Sequence, residues 1–308
     1  MSNIDRILND FIKNSNYQNT HKISSFITYN TTGGKAYRTE LFKILQNSTS
    51  DESVKLGNIF ELLQSVLVVV DDVMDEADQR RGVECYYKKK GLVSLRYAQY
   101  FVTGLGRIIK NIKNKTSSDF RAQYYKCVLN TCLGQTLDCM KNTIEEYKLD
   151  LYDAIAEYKT SWYTFYFPLS VGYAYTGQDE PNNLYEYCRL LGIKFQMQDD
   201  YLNFFPEISK KTGNDLESKK LTFFTCKLAG KNSNVAKAYF KNGKVTNELL
   251  REVQSFFPEF ETRMIEISEK TRQLEVGINK KILEYVKNLF KIKIISHPTL
   301  NKNELNII

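Results

Sequence analysis

A chain of 308 residues, 42% of them hydrophobic, is long enough for one large domain or two ordinary ones and can bury a substantial core. Its 43 basic and 36 acidic residues leave a formal charge of +7, too mild to mark a nucleic-acid binder, and no basic block with interleaved aromatics occurs. The longest purely apolar run, residues 66–70, is far too short to span a bilayer, so no stable membrane insertion is expected.

Five prolines and fifteen glycines are few for this length, apolar residues recur at helical spacing, and alternating β-patterns are scarce; the expectation is an all-α protein. Residues 1–17 mix Asp and Lys with isolated apolar residues, which fits neither a secretory signal nor an Arg-rich transit segment. The six cysteines form no CxxC pair and have no histidine at metal spacing, which fits a reducing compartment and a cytoplasmic location.

The first punctuation is Thr31-Thr32-Gly33-Gly34, followed by Lys35-Ala36-Tyr37-Arg38. Residues 61–70 are apolar on nearly all sides and predict a buried central helix. That helix runs into Asp71-Asp72-Val73-Met74-Asp75, and then Arg80-Arg81-Gly82. On a helix Asp71 and Asp75 are one turn apart on the same face, where like charges repel and call for a cation. Hard carboxylate oxygens at this spacing suit Mg²⁺, which shares its remaining positions with substrate phosphates. The bland alternative is a solvated, acid-rich helix end.

Further along, Cys132 and Cys139 lie seven apart on a predicted helix and are expected on one core-facing side. A second apolar stretch, residues 190–202, carries Gln196-Met197-Gln198-Asp199-Asp200 near its end, followed by Lys210, Lys211, Lys219 and Lys220. Two acidic helix ends with basic residues nearby are the pattern by which helical bundles hold metals from inward carboxylates, with lysines pairing to phosphate oxygens. Neither histidine, His21 or His297, belongs to a motif, and neither is expected to be catalytic.

In this order the motifs resemble the farnesyl diphosphate synthase family of trans-prenyl diphosphate synthases. Gly33 to Arg38, Leu62-Leu63-Gln64, Asp71 to Gly82, Gly134-Gln135-Thr136-Leu137-Asp138, Tyr158-Lys159-Thr160 with the run from Tyr163 to Pro168, Phe195 to Leu202, and Lys211-Thr212-Gly213-Asn214-Asp215 with Lys220 carry the likeness. From about Lys231 onward only general helical character matches. The resemblance implies a single domain over residues 1–308, a helical bundle around a central active-site cavity, and a homodimer. It implies head-to-tail condensation of isopentenyl diphosphate with dimethylallyl or geranyl diphosphate. Asp71, Asp75 and Asp199 would ligate Mg²⁺, or Mn²⁺ in its place, in a three-ion cluster with the allylic diphosphate. Arg80, Lys159 and Lys211 would pair with that diphosphate, Lys220 further out. Lys35, Arg38, Gln64 and Arg81 would hold isopentenyl diphosphate. The main-chain carbonyls of Lys159 and Thr160, with Gln196, would face the carbocation.

The sequence departs from the family pattern where Asn203 replaces the last Asp of the second motif, and no basic closing tail is recognisable in residues 296–308. At the fourth and fifth positions before Asp71, where relatives carry aromatic residues that stop the growing chain, stand Leu67 and Val66. Tyr100 or Phe101 on the next predicted helix would serve as floor instead, and the product is farnesyl diphosphate or, with an open channel, geranylgeranyl diphosphate. Two other readings share the scaffold: a terpene synthase, which would not need Lys35, Arg38, Gln64 and Arg81, and a non-catalytic partner subunit, which would not need both acidic clusters.

Overall fold

The structure, a computed structural model, describes residues 20–46, 49–110, 112, 119–140, 142–205 and 215–290. As expected, it is all-α. In chain order the helices are α1 (Thr20–Thr31), α2 (Tyr37–Ile44), α3 (Asp51–Met74), α4 (Tyr86–Lys90), α5 (Val93–Ile109), α6 (Phe120–Cys139), α7 (Leu149–Ala156), a π-helical segment (Glu157–Tyr166), α8 (Phe167–Thr176), α9 (Leu184–Leu202), α10 (Phe223–Lys231), α11 (Asn234–Asn242), α12 (Asn247–Gln254), α13 (Phe257–Gln273) and α14 (Lys280–Leu289). Among the described residues the only strands are β1 (Gln79–Arg80) and β2 (Val83–Glu84), an antiparallel pair. The sequence reading did not anticipate that hairpin. Its two-residue turn has both residues left-handed, Arg81 at φ 55° and Gly82 at φ 78°, the geometry that joins twisted strands without splaying them.

The described residues group into two compact units. The first holds the residues up to Thr131 together with Trp162–Leu184 and Gly277–Tyr285. Its axis is α3. Ser50 caps the helix by accepting from the Ser53 N–H, Ser53 reciprocates, and Asp51 and Glu52 complement the dipole of the first turn. Leu56, Ile59, Phe60, Leu62, Leu63, Val66 and Val69 are buried, each contributing about 1.5–3 kcal/mol relative to an exposed side chain before conformational entropy is charged against it. By length and composition this helix would cross a membrane, but 56% of its apolar window is buried in protein, the behaviour of a core helix. It packs on α2 and α5. The α2 contact is close because Gly57 has no side chain: a Cβ there would lie 2.9 Å from Thr39 Cγ2, and the Thr39 hydroxyl donates to the Gly57 carbonyl at 2.7 Å. Phe26 stacks on Phe101, and Phe60 packs edge-on against Phe42 and Phe167.

The second unit holds Cys132–Ser161, Tyr185–Val276 and the residues from Val286. Its core is aromatic: Phe224 and Tyr201 both stack on Phe260, and Phe204, Phe223 and Phe257 pack edge-on or tilted around them. Thr222 begins α10 with a capping box to Thr225. Two glycines admit the backbone of the π-helical segment at close range. A Cβ on Gly134 of α6 would lie 2.6 Å from Lys159 Cα, and one on Gly192 of α9 would lie 2.8 Å from Ser161 Cα.

The expectation for Cys132 and Cys139 is corrected: Cys132 is exposed and Cys139 only half-buried. The inward side of α6 is taken by Tyr124, Cys127, Thr131 and Gly134, which leaves Cys132 on the opposite side with Leu129 and Leu133. Gly134→Ala is expected to lower stability by about 1–3 kcal/mol, because the added methyl meets backbone that cannot rotate away. Urea unfolding measures this, and an unchanged midpoint would show that α6 and the π-helical segment are less tightly apposed than described.

Candidate active site

The first unit gathers charge at the end of α3. Asp75 closes the helix, donating its N–H to the Asp71 carbonyl at 2.8 Å, so Asp71 and Asp75 do stand one turn apart. The cation at this end is Arg80. Its Nη2 donates to Asp71 Oδ2 at 2.9 Å and its Nε to Asp72 Oδ1 at 2.7 Å, a clamp that the β1–β2 hairpin holds in place. Asp72 is buried at 3% exposure, and burial raises its carboxyl above the ordinary carboxylate range while Arg80 opposes the shift. The Cys85 thiol beside it is pushed up to about 12, first by burial and then by the Asp72 charge. Arg80, expected on a diphosphate, is thus seated on the two carboxylates, and Asp72 is an internal partner rather than a second ligand.

Arg81, next along the hairpin, turns the other way. Its Nη1 donates to the carbonyls of Asn30 and Thr32 at 3.2 and 3.0 Å, where the C-terminal end of α1 concentrates partial negative charge. Gly33 is left-handed at φ 75°, and a Cβ on Gly34 would come within 3.4 Å of both Arg81 terminal nitrogens, which explains the paired glycines before Lys35. Arg38 is buried, donates to Thr164 Oγ1 at 2.7 Å and lies 4.2 Å from the centre of the Tyr163 ring. The Arg81 guanidinium is held below its ordinary range, first by burial and then by repulsion from Arg80, with Arg38 adding to it. Arg81 therefore lies near both Arg80 and Arg38. Lys35 is exposed and reaches over the Tyr37 ring, and Gln64 is half-buried on α3. From the region beyond the matched motifs, α14 brings Tyr285 beside Glu40, Tyr37 and Glu61, and burial first, then those groups, pushes its phenol up to about 12.

The second unit holds the remaining residues. Lys159 Nζ donates to Asp138 Oδ2 at 2.6 Å, and Lys220 lies 3.8 Å from the same oxygen. Asp138 is therefore a site residue that the sequence reading passed over, although it closes the motif that begins at Gly134. One turn of α6 separates the glycine that admits the π-helical backbone from the carboxylate that fixes its lysine. Asp199 and Asp200 divide their work. Asp199 is half-buried, whereas Asp200 is 2% exposed, accepting from Gln196 Nε2 at 3.0 Å and from the Phe223 N–H of α10 at 3.1 Å. Burial first, then the Asp215 charge, raises the Asp200 carboxyl well above its ordinary range. Gln196 also accepts from the Thr160 hydroxyl at 3.2 Å, so its amide is tied into this chain at both ends. Asn203 accepts from the Asp215 N–H at 3.3 Å, a bond an aspartate would make equally well. Lys211, His297 and the tail from residue 296 lie outside the described residues, and His21 is exposed on α1.

In the first unit the half-buried Asp71 shares Arg80 with the buried Asp72, and in the second Lys159 is held by Asp138 while Asp199 is half-buried. The donor set, oxygen-only and anionic, fits a hard divalent cation.

Residues 20–256 match the family model described as polyprenyl synthetase. The chain is similar to farnesyl pyrophosphate synthase 1 of Cannabis sativa, 31% identical over 260 residues that make up 76% of this chain and 75% of that one. It is also similar to farnesyl pyrophosphate synthase 2 of Arabidopsis thaliana, 28% identical over 82% of each chain, and to the Saccharomyces cerevisiae farnesyl pyrophosphate synthase, 28% identical over 76% of this chain and 77% of that one. Among solved structures, the T. brucei farnesyl diphosphate synthase complexed with risedronate has the same fold, with a TM-score of 0.76 over 93% of this chain and 94% of that one at 20% identity.

Asp200→Ala is expected to cost about 1–3 kcal/mol of stability, because it strands the buried Phe223 N–H and the Gln196 amide. Asp200→Asn, which still offers an acceptor oxygen, should cost less. Chemical denaturation of both proteins checks this order, and equal stability of Asp200→Ala and the unmodified chain would refute the internal role.

Proposed function

The chain belongs to the polyprenyl synthetase family, and we propose that it condenses isopentenyl diphosphate with dimethylallyl and geranyl diphosphates, giving farnesyl diphosphate. The observation that carries this reading is the placement of Asp71 and Asp75 on a buried apolar helix beside a cluster of three arginines. A terpene synthase would have no use for the Lys35, Arg38, Gln64 and Arg81 set, and a non-catalytic subunit none for both acidic clusters.

Asp71, Asp75 and Asp199 would hold Mg²⁺, for which Mn²⁺ is a chemically similar substitute. Bound there, the metal supplies positive charge to the diphosphate as it leaves. The chain's own groups do the rest. The allylic C–O bond breaks with its electron pair passing to the diphosphate, and Arg80 and Lys159 would pair with the new charge. The carbonyls of Lys159 and Thr160 stabilise the carbocation without attacking it, and Gln196, tied to Thr160, keeps that turn in position. The isopentenyl double bond then forms the new C–C bond, and a proton leaves to the released diphosphate. Lys35, Arg38, Gln64 and Arg81 grip the diphosphate that stays.

Leu67, one turn before Asp71, is only partly buried, whereas Val66 is in the core; Phe101 is buried on Phe26 and Tyr100 is 38% exposed. This favours Leu67 over Val66 as a residue lining a tail channel, and a channel open past Leu67 would give geranylgeranyl diphosphate. A homodimer is supported by the exposed apolar side of α6, with Leu129 at 71% and Leu133 at 45% exposure. A cytoplasmic location belongs to the same proposal.

Alanine at Asp71, Asp75 or Asp199 should lower kcat/KM on the order of a hundredfold or more, as for other groups that stabilise transition-state charge. Excess chelator should abolish turnover. In the same assay Lys35→Ala should mainly raise KM for isopentenyl diphosphate, and Lys159→Ala should mainly lower kcat. Full activity in chelator, or an unchanged isopentenyl diphosphate KM in Lys35→Ala, would overturn the assignments.

A further inference from the structure

Between the acidic end of α3 and the start of α5 the chain builds a protrusion to which the condensation chemistry assigns no role. Lys88, Lys89 and Lys90 end α4 and are all exposed. Gly91, left-handed at φ 64°, turns the chain sharply, and Leu92 and Val93 follow at 70% and 49% exposure, with Val83 of β2 at 51% and Arg96 also exposed. Acids are sparse here: Asp78 pairs with Lys88 at 2.7 Å, and Glu84 is exposed.

The protrusion is held in shape from beneath. Tyr86 is buried edge-on against Phe26, the Tyr29 hydroxyl donates to the Glu84 carbonyl at 2.6 Å, and the Gly91 N–H closes α4 onto the Tyr87 carbonyl at 2.7 Å. Exposing Leu92 this fully therefore does not follow from a loose loop. A branched aliphatic tip costs solvation free energy in water, and the residues around it are cations with long apolar stems.

We propose that this protrusion is a peripheral docking element for anionic lipid surfaces. Leu92 and Val93 enter the headgroup–acyl boundary while Lys89, Lys90 and Arg96 lie among the lipid phosphates and carboxylates. Lys88 is held by Asp78 and Lys89 lies 4.8 Å from the centre of the Tyr29 ring, but a lysine ammonium is a compact point charge rather than a planar fork, which suits a fluid array of anions better than one fixed partner. A folded protein partner is met by aromatic or arginine anchors in a well-packed pocket, and the exposed apolar residues here are two aliphatics after a glycine turn. The contact is reversible and adds no membrane-spanning segment. It stands independently of the proposed condensation.

Co-sedimentation with sucrose-loaded vesicles tests it. The 308-residue chain should bind vesicles of phosphatidylcholine with phosphatidylserine, bind less as salt is raised, and fail to bind phosphatidylcholine alone. Lys89→Gln with Lys90→Gln should weaken binding about thirtyfold, at about 1 kcal/mol for each lysine near the surface. Leu92→Ser with Val93→Ser should also weaken it, although every charge remains. Both double variants change exposed side chains, so matching thermal melts will confirm that they fold. Absence of binding to the anionic vesicles, or binding by either folded variant as tight as that of the unmodified chain, would overturn the proposal. So would binding to polyglutamate as strong as to the vesicles and indifferent to Leu92 and Val93, which would indicate an acidic protein surface instead.

Discussion

Like charges collected at the end of an apolar helix set the terms for the first unit. Burial of one side of α3 fixes its direction and register, and its last turn then carries Asp71, Asp72 and Asp75 where the helix dipole is already negative. Left alone, that arrangement is unfavourable. The hairpin after the helix answers it by returning Arg80 over Asp71 and Asp72. Only a tight turn does this within so few residues, which accounts for Arg81 accepting a left-handed conformation and for Gly82 after it. The same turn sends Arg81 to the end of α1, where Gly33 and Gly34 leave room for its guanidinium.

The second unit solves a related problem with backbone. A π-helical segment has irregular, wider turns than an α-helix and is often found at functional sites. Here glycines on α6 and α9 bring neighbouring helices within contact of its main chain. The side chains that leave the segment are then tied down, Lys159 to Asp138 and Thr160 to Gln196. Asp200 carries the tie onward to the first turn of α10, where a carboxylate accepting an N–H meets the positive end of a helix. In both units one carboxylate of each adjacent pair is buried, Asp72 and Asp200, and the other is half-buried.

Much of this was legible in the sequence, and the limits have physical causes. The all-helical class followed from helical periodicity and scarce turn residues, and α3 could be placed from its apolar run alone. The positions of Lys35, Arg38, Gln64, Asp71, Asp75, Lys159 and Asp199 came from ordered motifs. Partnership did not. That Arg80 sits on Asp71 and Asp72 depends on a six-residue hairpin too short to leave a periodic pattern. That Asp200 is internal depends on α10, more than twenty positions later. Asp138 was visible as a motif letter, but its hold on Lys159 needed the close approach at Gly134. Cys132 was misread because spacing of seven identifies a shared side of a helix and says nothing about which way that side faces.

The central claim is that the Asp71 carboxylate held by Arg80 is a cation site that diphosphate and a divalent metal take over together. A crystal soaked with Mn²⁺ and inorganic diphosphate, with the metal located by anomalous scattering, tests it directly. The expected result is a Mn²⁺ peak within ligand distance of the Asp71 and Asp75 carboxylates, with Arg80 moved from Asp71 onto a phosphate oxygen. Diphosphate bound with no metal peak at Asp71 or Asp75, and Arg80 still clamped on Asp71 and Asp72, would contradict it.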